Sequence, residues 1–134
     1  MDTVLKVVGF LFAGFILLNV ALTLVAQRRA AKLKGQPLPE LPGALGQRIT
    51  RAQRGLVYFF TPQCGACRPV TPRMQELARK GQPVFPVDAM QDQALAKAFS
   101  VMATPTTIEV ADGRVVAVHI GPVKQELFAR YGAA

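Results

Sequence analysis

Two cysteines, Cys64 and Cys67, are the only thiols in a chain of 134 residues, and two residues separate them. At that spacing along a helical turn, one sulfur can close a disulfide with the other. Alternatively, one can attack an external disulfide while its neighbour resolves the mixed product. The stretch Thr61-Pro62-Gln63-Cys64-Gly65-Ala66-Cys67 follows the β-branched and aromatic run Leu56-Val57-Tyr58-Phe59-Phe60 and precedes a segment of helical period. Cys64 is therefore expected at or just before a helix N-terminus. Unsatisfied backbone N–H groups and the helix dipole there favour a thiolate, the attacking species in disulfide exchange. Cys64 reads as the nucleophile and Cys67 as the resolving thiol.

Other chemistries for the same residues are weaker. Half a zinc site needs a second ligand pair, but the chain has one histidine, His119, far along in an expected strand, so no metal is assigned. On a strand, His119 reads as a packed or surface residue rather than a catalyst. Two buried, inert cysteines are a further alternative, since free Cys is often internal. Their place between a strand and a helix favours the redox reading. Two cysteines are also too few for a disulfide-built secreted scaffold.

The elements that must position the pair follow from period and punctuation. Residues 56–60 form a short continuous apolar run, as expected of a strand buried on both faces. Residues 68–80 carry Val70, Met74, Leu77 and Ala78 on one helical face, interrupted by Pro69 and Pro72 and stopped by Gly81. Residues 83–88 read as the next strand, parallel to the first because a helix connects them. Residues 91–100 read as a second helix. Strands at 106–111 and 114–120 flank Asp112-Gly113, a two-residue hairpin signal, and Gly121-Pro122 leads into a last helix over 124–131. Only residues 47–50 leave room for a strand before the first. The order implies an α/β domain, a mixed sheet covered by helices. Val84, Phe85, Val87, Met102 and Ile108 are expected in its core.

Apolarity and charge are both concentrated ahead of this domain. Residues 7–26 contain no charged side chain and only Asn19 and Thr23 as clearly polar ones. As a helix these 20 residues reach about 30 Å, the thickness of a bilayer core. A cleaved signal peptide fits poorly. The run exceeds the usual hydrophobic region, its leading flank carries Asp2 with only Lys6 and the amine as cations, and the nearest candidate cleavage site is Leu24-Val25-Ala26. A membrane-spanning anchor over residues 4–26 is expected. The formal net charge is +8, but residues 1–54 hold 8 basic and 2 acidic side chains, whereas residues 55–134 hold 8 and 6. The excess sits in Arg28, Arg29, Lys32 and Lys34, just past the apolar run. A cluster there faces anionic lipid headgroups, at about 1 kcal/mol per cation, and nucleic acid is not assigned as a partner. Three closely spaced prolines, Pro37, Pro39 and Pro42, then predict a stiff extended connector that holds the domain off the membrane. The expected divisions are an anchor over 1–34, a Pro-rich linker over 35–44 and a domain over 45–134. Oligomeric state is not legible.

Across residues 45–131 the chain resembles the thioredoxin superfamily. Cys64-Gly65-Ala66-Cys67 corresponds to the redox motif, and Pro72 falls where many members kink the active-site helix. Met102-Ala103-Thr104-Pro105-Thr106 looks like the cis-proline loop, and Asp112-Gly113 and Gly121 fall at matching places. The lead-in Gly35-Gln36-Pro37-Leu38-Pro39 after an anchor is similar to the membrane-tethered TlpA-like branch. The resemblance implies a thioredoxin-like mixed sheet flanked by helices and preceded by one transmembrane helix. It also implies dithiol exchange without a bound cofactor beyond the Cys64–Cys67 disulfide. Cys64 and Cys67 would be catalytic, with Gln63, Gly65, Ala66, Thr104 and Pro105 shaping the substrate surface. Protein thiols or disulfides would be the substrates, and a second redox protein the exchange partner. Three positions depart from the pattern. Gln63 stands where many members have tryptophan, Ala66 where they have proline, and Tyr58 where they carry a buried acid. With a pKa of about 10, Tyr58 is a poor base near neutrality. Glu76, Asp88 and Glu109 are the nearest candidates by type for a base assisting Cys67. These departures motivate a competing expectation, a redox-inactive module that binds a partner on the cis-proline face. Lys and Arg flanking the span put the domain in the cytoplasm by the positive-inside rule, whereas the family resemblance points to an extracytoplasmic compartment.

Overall fold

The computed structural model describes residues 1–132. From Gly55 to Phe59 every residue is buried, the pattern of a strand covered on both faces, and this segment forms the centre of β1 (Arg54–Phe60). The chain runs α1 (Asp2–Leu33), α2 (Gly43–Arg51), β1, a 3-10 turn (Gly65–Cys67), α3 (Thr71–Arg79), β2 (Val84–Asp88), α4 (Gln93–Ala98), β3 (Thr106–Ala111), β4 (Arg114–Ile120) and α5 (Gln125–Gly132).

The strands form one mixed sheet in the order β2-β1-β3-β4, with β1 and β2 parallel and the other pairs antiparallel. Pro86 is compatible with β2 because β2 is an edge strand. Side chains alternate between two cores. Val57, Phe59 and Ile108 pack with Ile49 of α2 and with Leu95 and Phe99 around α4. Leu56, Tyr58 and Val84 pack with Met74 of α3 and with Leu127 and Phe128 of α5. Asp112 and Gly113 have φ of 50° and 72°. Both φ values are positive, as the tight turn between twisted antiparallel strands requires.

Several elements differ from the sequence expectation. Residues 47–50 lie in α2 rather than in a strand: Pro42 precedes its first turn and Ile49 buries its apolar face in the core. The helix expected over 68–80 starts at Thr71, because Pro69 lacks a donor and Pro72 is placed in the first turn, where a missing N–H costs nothing. Pro72 therefore opens the helix rather than kinking it. The helix expected over 91–100 is shortened to α4. Asp92 caps it by accepting from Leu95 N at 3.1 Å, and Ser100 ends the segment with φ of 55°. Met102 is 55% exposed in the loop before β3, not in the core. The Pro-rich connector is not a free spacer but is bonded to the domain. Gly35 N donates to Val115 O at 2.7 Å, Val115 N to Gln36 O at 3.0 Å and Leu38 N to Gly113 O at 2.8 Å. It thus covers the start of the outer edge of β4, satisfying backbone groups that an open edge would expose.

The turn from the connector into α2 depends on one close approach. A Cβ at Gly46 would lie 2.8 Å from backbone and Cβ atoms of Leu41, which is itself buried. Gly46→Ala is expected to cost about 2 kcal/mol through this overlap. Urea unfolding would show it as a lower midpoint at unchanged slope.

Candidate active site

Phe59 of β1 pairs with Thr106 of β3, so the segment leaving β1 and the loop entering β3 meet at one end of the sheet. The first segment carries the cysteines. Cys64 and Cys67 are joined as a disulfide with their Cα atoms 5.2 Å apart. Their environments differ: Cys64 is half-buried and Cys67 is 1% exposed. Cys64 precedes the 3-10 turn, and its Sγ accepts from Cys67 N at 3.2 Å. The expected helix N-terminus is thus a single tight turn, with α3 starting only at Thr71. The donor aimed at Cys64 Sγ is one N–H of this tight turn rather than the end of a long helix.

The residues expected around the pair lie in the two segments that meet at this end of the sheet. Gln63, Gly65 and Ala66 are exposed on the turn, Thr104 is half-buried and Pro105 is buried. The Thr104–Pro105 peptide is cis. Its loop is pinned from both sides, by Thr106 Oγ1 donating to Ala103 O at 2.6 Å and Gly121 N donating to Pro105 O at 2.9 Å.

Beneath Cys67 the polar groups are hydroxyls. Thr71 Oγ1 donates to Cys67 O at 2.9 Å, and Tyr58 Oη lies 3.0 Å from Thr71 Oγ1. Tyr58 Oη also reaches Cys67 O at 3.5 Å, so the two hydroxyls and the carbonyl form one hydrogen-bonded group. The three carboxylates considered as bases are engaged elsewhere. Glu76 pairs with Lys80 at 3.1 Å on exposed α3. Asp88 accepts from Met90 N at 2.9 Å at the end of β2. Glu109 accepts from Arg130 at 2.8 Å, bonds His119 Nε2 at 2.8 Å and accepts from Tyr131 at 3.2 Å. His119 is accordingly a structural partner of Glu109, and among the described residues no three His, Cys, Asp or Glu side chains gather as metal ligands do. Sequence reasoning misses Thr71. The available signal is its position four residues after Cys67, from which a threonine hydroxyl reaches back to the carbonyl.

Burial raises the pKa of Tyr58 above its usual value near 10, and the side-chain hydrogen bond it shares with Thr71 opposes that rise. Tyr131 is raised too, by burial first and then by the negative charge of Glu109, with Arg54 acting in the other direction. In both cases the folded chain holds a proton that the unfolded chain releases first. Their contribution is complete below pH 10 and is lost as pH rises from about 10 through the folded values. Alkaline urea titration should show stability falling above about pH 10, and Tyr58→Phe should flatten part of that fall.

A thioredoxin family profile matches residues 44–132. The chain belongs to the thioredoxin family. It is 30% identical over 69 residues to a thioredoxin of Bacillus subtilis, covering 49% of this chain and 66% of that one. It is 26% identical over 91 residues to a chain of Schizosaccharomyces pombe named as a protein disulfide-isomerase, covering 65% of this chain and 18% of that one. A mutant thioredoxin of Halobacterium salinarum superposes with a TM-score of 0.55 at 25% identity, covering 72% of this chain and 91% of that one. The thioredoxin profile begins just after the connector and leaves α1 outside it.

Proposed function

We propose that this chain is a membrane-anchored thiol-disulfide oxidoreductase acting on protein substrates through Cys64 and Cys67. The unequal burial of the two sulfurs carries the reading. An external disulfide can reach half-buried Cys64 but not Cys67, so the pair has a built-in order of attack. In the reduced chain, the Cys64 thiolate attacks one substrate sulfur, forms a mixed disulfide and releases the other substrate sulfur as a thiol. Cys67 then attacks Cys64 Sγ, breaks the mixed disulfide and releases the second thiol. Two electrons pass to the substrate and the Cys64–Cys67 disulfide is left, to be reduced again by a partner dithiol. Exposed Gln63, Gly65 and Ala66 and half-buried Thr104 are the surface that a substrate chain would meet, and buried Pro105 fixes the loop that carries Thr104. The hydroxyls of Tyr58 and Thr71 hold the backbone under Cys67, and no bound cofactor is needed.

Anchoring rests on α1. It has no buried residue, and its mean hydropathy reaches 2.4 over the most apolar window. The two polar side chains of its apolar run each donate within the helix, Asn19 to Phe15 O at 2.7 Å and Thr23 to Asn19 O at 2.8 Å. That arrangement suits a hydrocarbon surrounding, where no water can take these bonds.

The test is reduction of a protein disulfide by the full chain in detergent with a dithiol reductant, together with thiol counting in glutathione buffers. Catalysed reduction and a pair that cycles between two free thiols and none are expected. A pair that never cycles, with partner capture intact, would favour the redox-inactive binding module. Carbonate-resistant membrane retention of the full-length chain tests the anchor against a cleaved signal. Membrane-impermeant maleimide, applied to intact and lysed cells after reduction, reports the side on which the domain lies.

A further inference from the structure

The end of α1 is part of the domain. Ala26, Ala30 and Leu33 are its partly buried residues, spaced to line one helical face, and they lie over Val101, Val118 and Ile120 around a small cavity. Small side chains at Ala26 and Ala30 allow this close approach. Arg29 donates to Met102 Sδ at 3.3 Å, three residues before Pro105. The direction of the contact follows from the register. Ile120 pairs with Thr106 at the dithiol end of the sheet, while Arg114 pairs with Ala111 at the opposite end. As the chain proceeds from Arg29 to Gly35, its partners move from Met102 at the dithiol end to Val115 and Arg114 near the other. The apolar part of α1, which precedes Ala26, therefore leaves the domain on the side of the dithiol.

The apolar surface agrees. Outside α1 and its N-cap Met1, the large hydrophobic side chains exposed among the described residues are Met90, Met102, Val116 and Ile120. Met90 follows β2, Met102 precedes β3 and Ile120 ends β4, so three of these four lie at the dithiol end. The charged α1 residues at this level are Arg28, Arg29 and Lys32, suited to the headgroup region.

The geometry points to a substrate class: cysteines of membrane proteins that lie close to the bilayer surface, presented to a dithiol that the docked anchor turns toward the same surface. This rests on the proposed dithiol exchange and on the membrane insertion of α1. It adds that α1 is an orienting strut rather than a loose tether. Reach and orientation would then select substrates by height above the bilayer, through effective concentration rather than through new contacts.

The experiment uses the full chain, reduced and reconstituted in lipid vesicles, with two transmembrane peptides as substrates. One carries its disulfide directly beside the span and the other at the end of a long Gly-Ser spacer. The near disulfide should be reduced about tenfold faster or more. A flexible Gly-Ser insert between Ala26 and Gln27 should erase the preference while leaving reduction of a soluble disulfide unchanged. A fluorophore on Cys64 in the Cys67→Ser chain should be quenched by headgroup-labelled lipid. One on Gln53→Cys, at the other end of the sheet in a chain lacking both native cysteines, should be quenched less. Equal rates on both peptides with normal soluble turnover, or equal quenching at both positions, overturn this inference and leave the oxidoreductase reading standing. Failure to reduce any disulfide overturns that reading, and a chain absent from the vesicles on flotation overturns the anchor. Either result takes this inference with it.

Discussion

Cys64→Ser is expected to lower reduction of protein disulfides by roughly a thousandfold or more, to the rate of the reductant alone. The argument is one of access. Cys67 is 1% exposed, so with Cys64 removed no sulfur of the chain is placed to meet an external disulfide. Serine keeps the size and the local hydrogen bonding, so the fold should persist and the loss should be chemical. The reciprocal variant has a different signature. Cys67→Ser leaves the attacking sulfur in place but removes the group that breaks the mixed disulfide. It should accumulate a covalent complex with substrate, visible on a non-reducing gel and released by reductant. Turnover that survived Cys64→Ser would place the nucleophile elsewhere. A Cys67→Ser chain that released product as fast as the native one would remove Cys67 from the resolving role.

The placement of this pair is legible because three local signals agree. A five-residue apolar run, two cysteines at a helical-turn spacing and a following amphipathic segment leave little choice about where a strand stops and a turn begins. The hairpin at Asp112-Gly113 is legible for a similar reason, since few other residues accept positive φ at both positions. Tertiary contacts decide the features that are not legible. Residues 47–50 form a helix because Gly46 lets the segment fold back onto Leu41 and Ile49 fills the core, and neither contact is visible in local propensity. The connector's prolines announce an extended chain but not its partner. It is β4's open edge that turns it from a spacer into a bonded strip. Met102 is expected inside on its chemistry alone, yet it stands in an irregular loop against Arg29. The same blindness hides the second polar centre of the domain. Glu109, His119, Arg130 and Tyr131 are spread over 23 residues of sequence and meet only after β3, β4 and α5 have packed.

Glu109→Gln should lower the stability of the chain by about 2 kcal/mol and Glu109→Ala by about 3 kcal/mol, with little change in the rate at which folded protein reduces disulfides. Glu109 is 3% exposed on β3, and its two oxygens take bonds from His119 on the next strand and from Arg130 and Tyr131 on α5. It is therefore a clamp between the sheet and the last helix. Glutamine offers one acceptor oxygen and turns two amide hydrogens toward groups that are themselves donors. Alanine leaves all three partners without an acceptor. The figures stay below those of a fully buried ion pair because the Arg130 side chain is 52% exposed and can return to water. For the same reason Arg130→Ala should cost less than about 1 kcal/mol, so the larger loss belongs to the buried carboxylate rather than to its most visible partner. Urea unfolding of the three variants reads the order directly. A Glu109→Gln midpoint equal to the native one would show that α5 is held by the apolar packing of Leu127 and Phe128 alone. Loss of turnover in folded Glu109→Gln would mean that this centre communicates with the cysteines, which it does not touch.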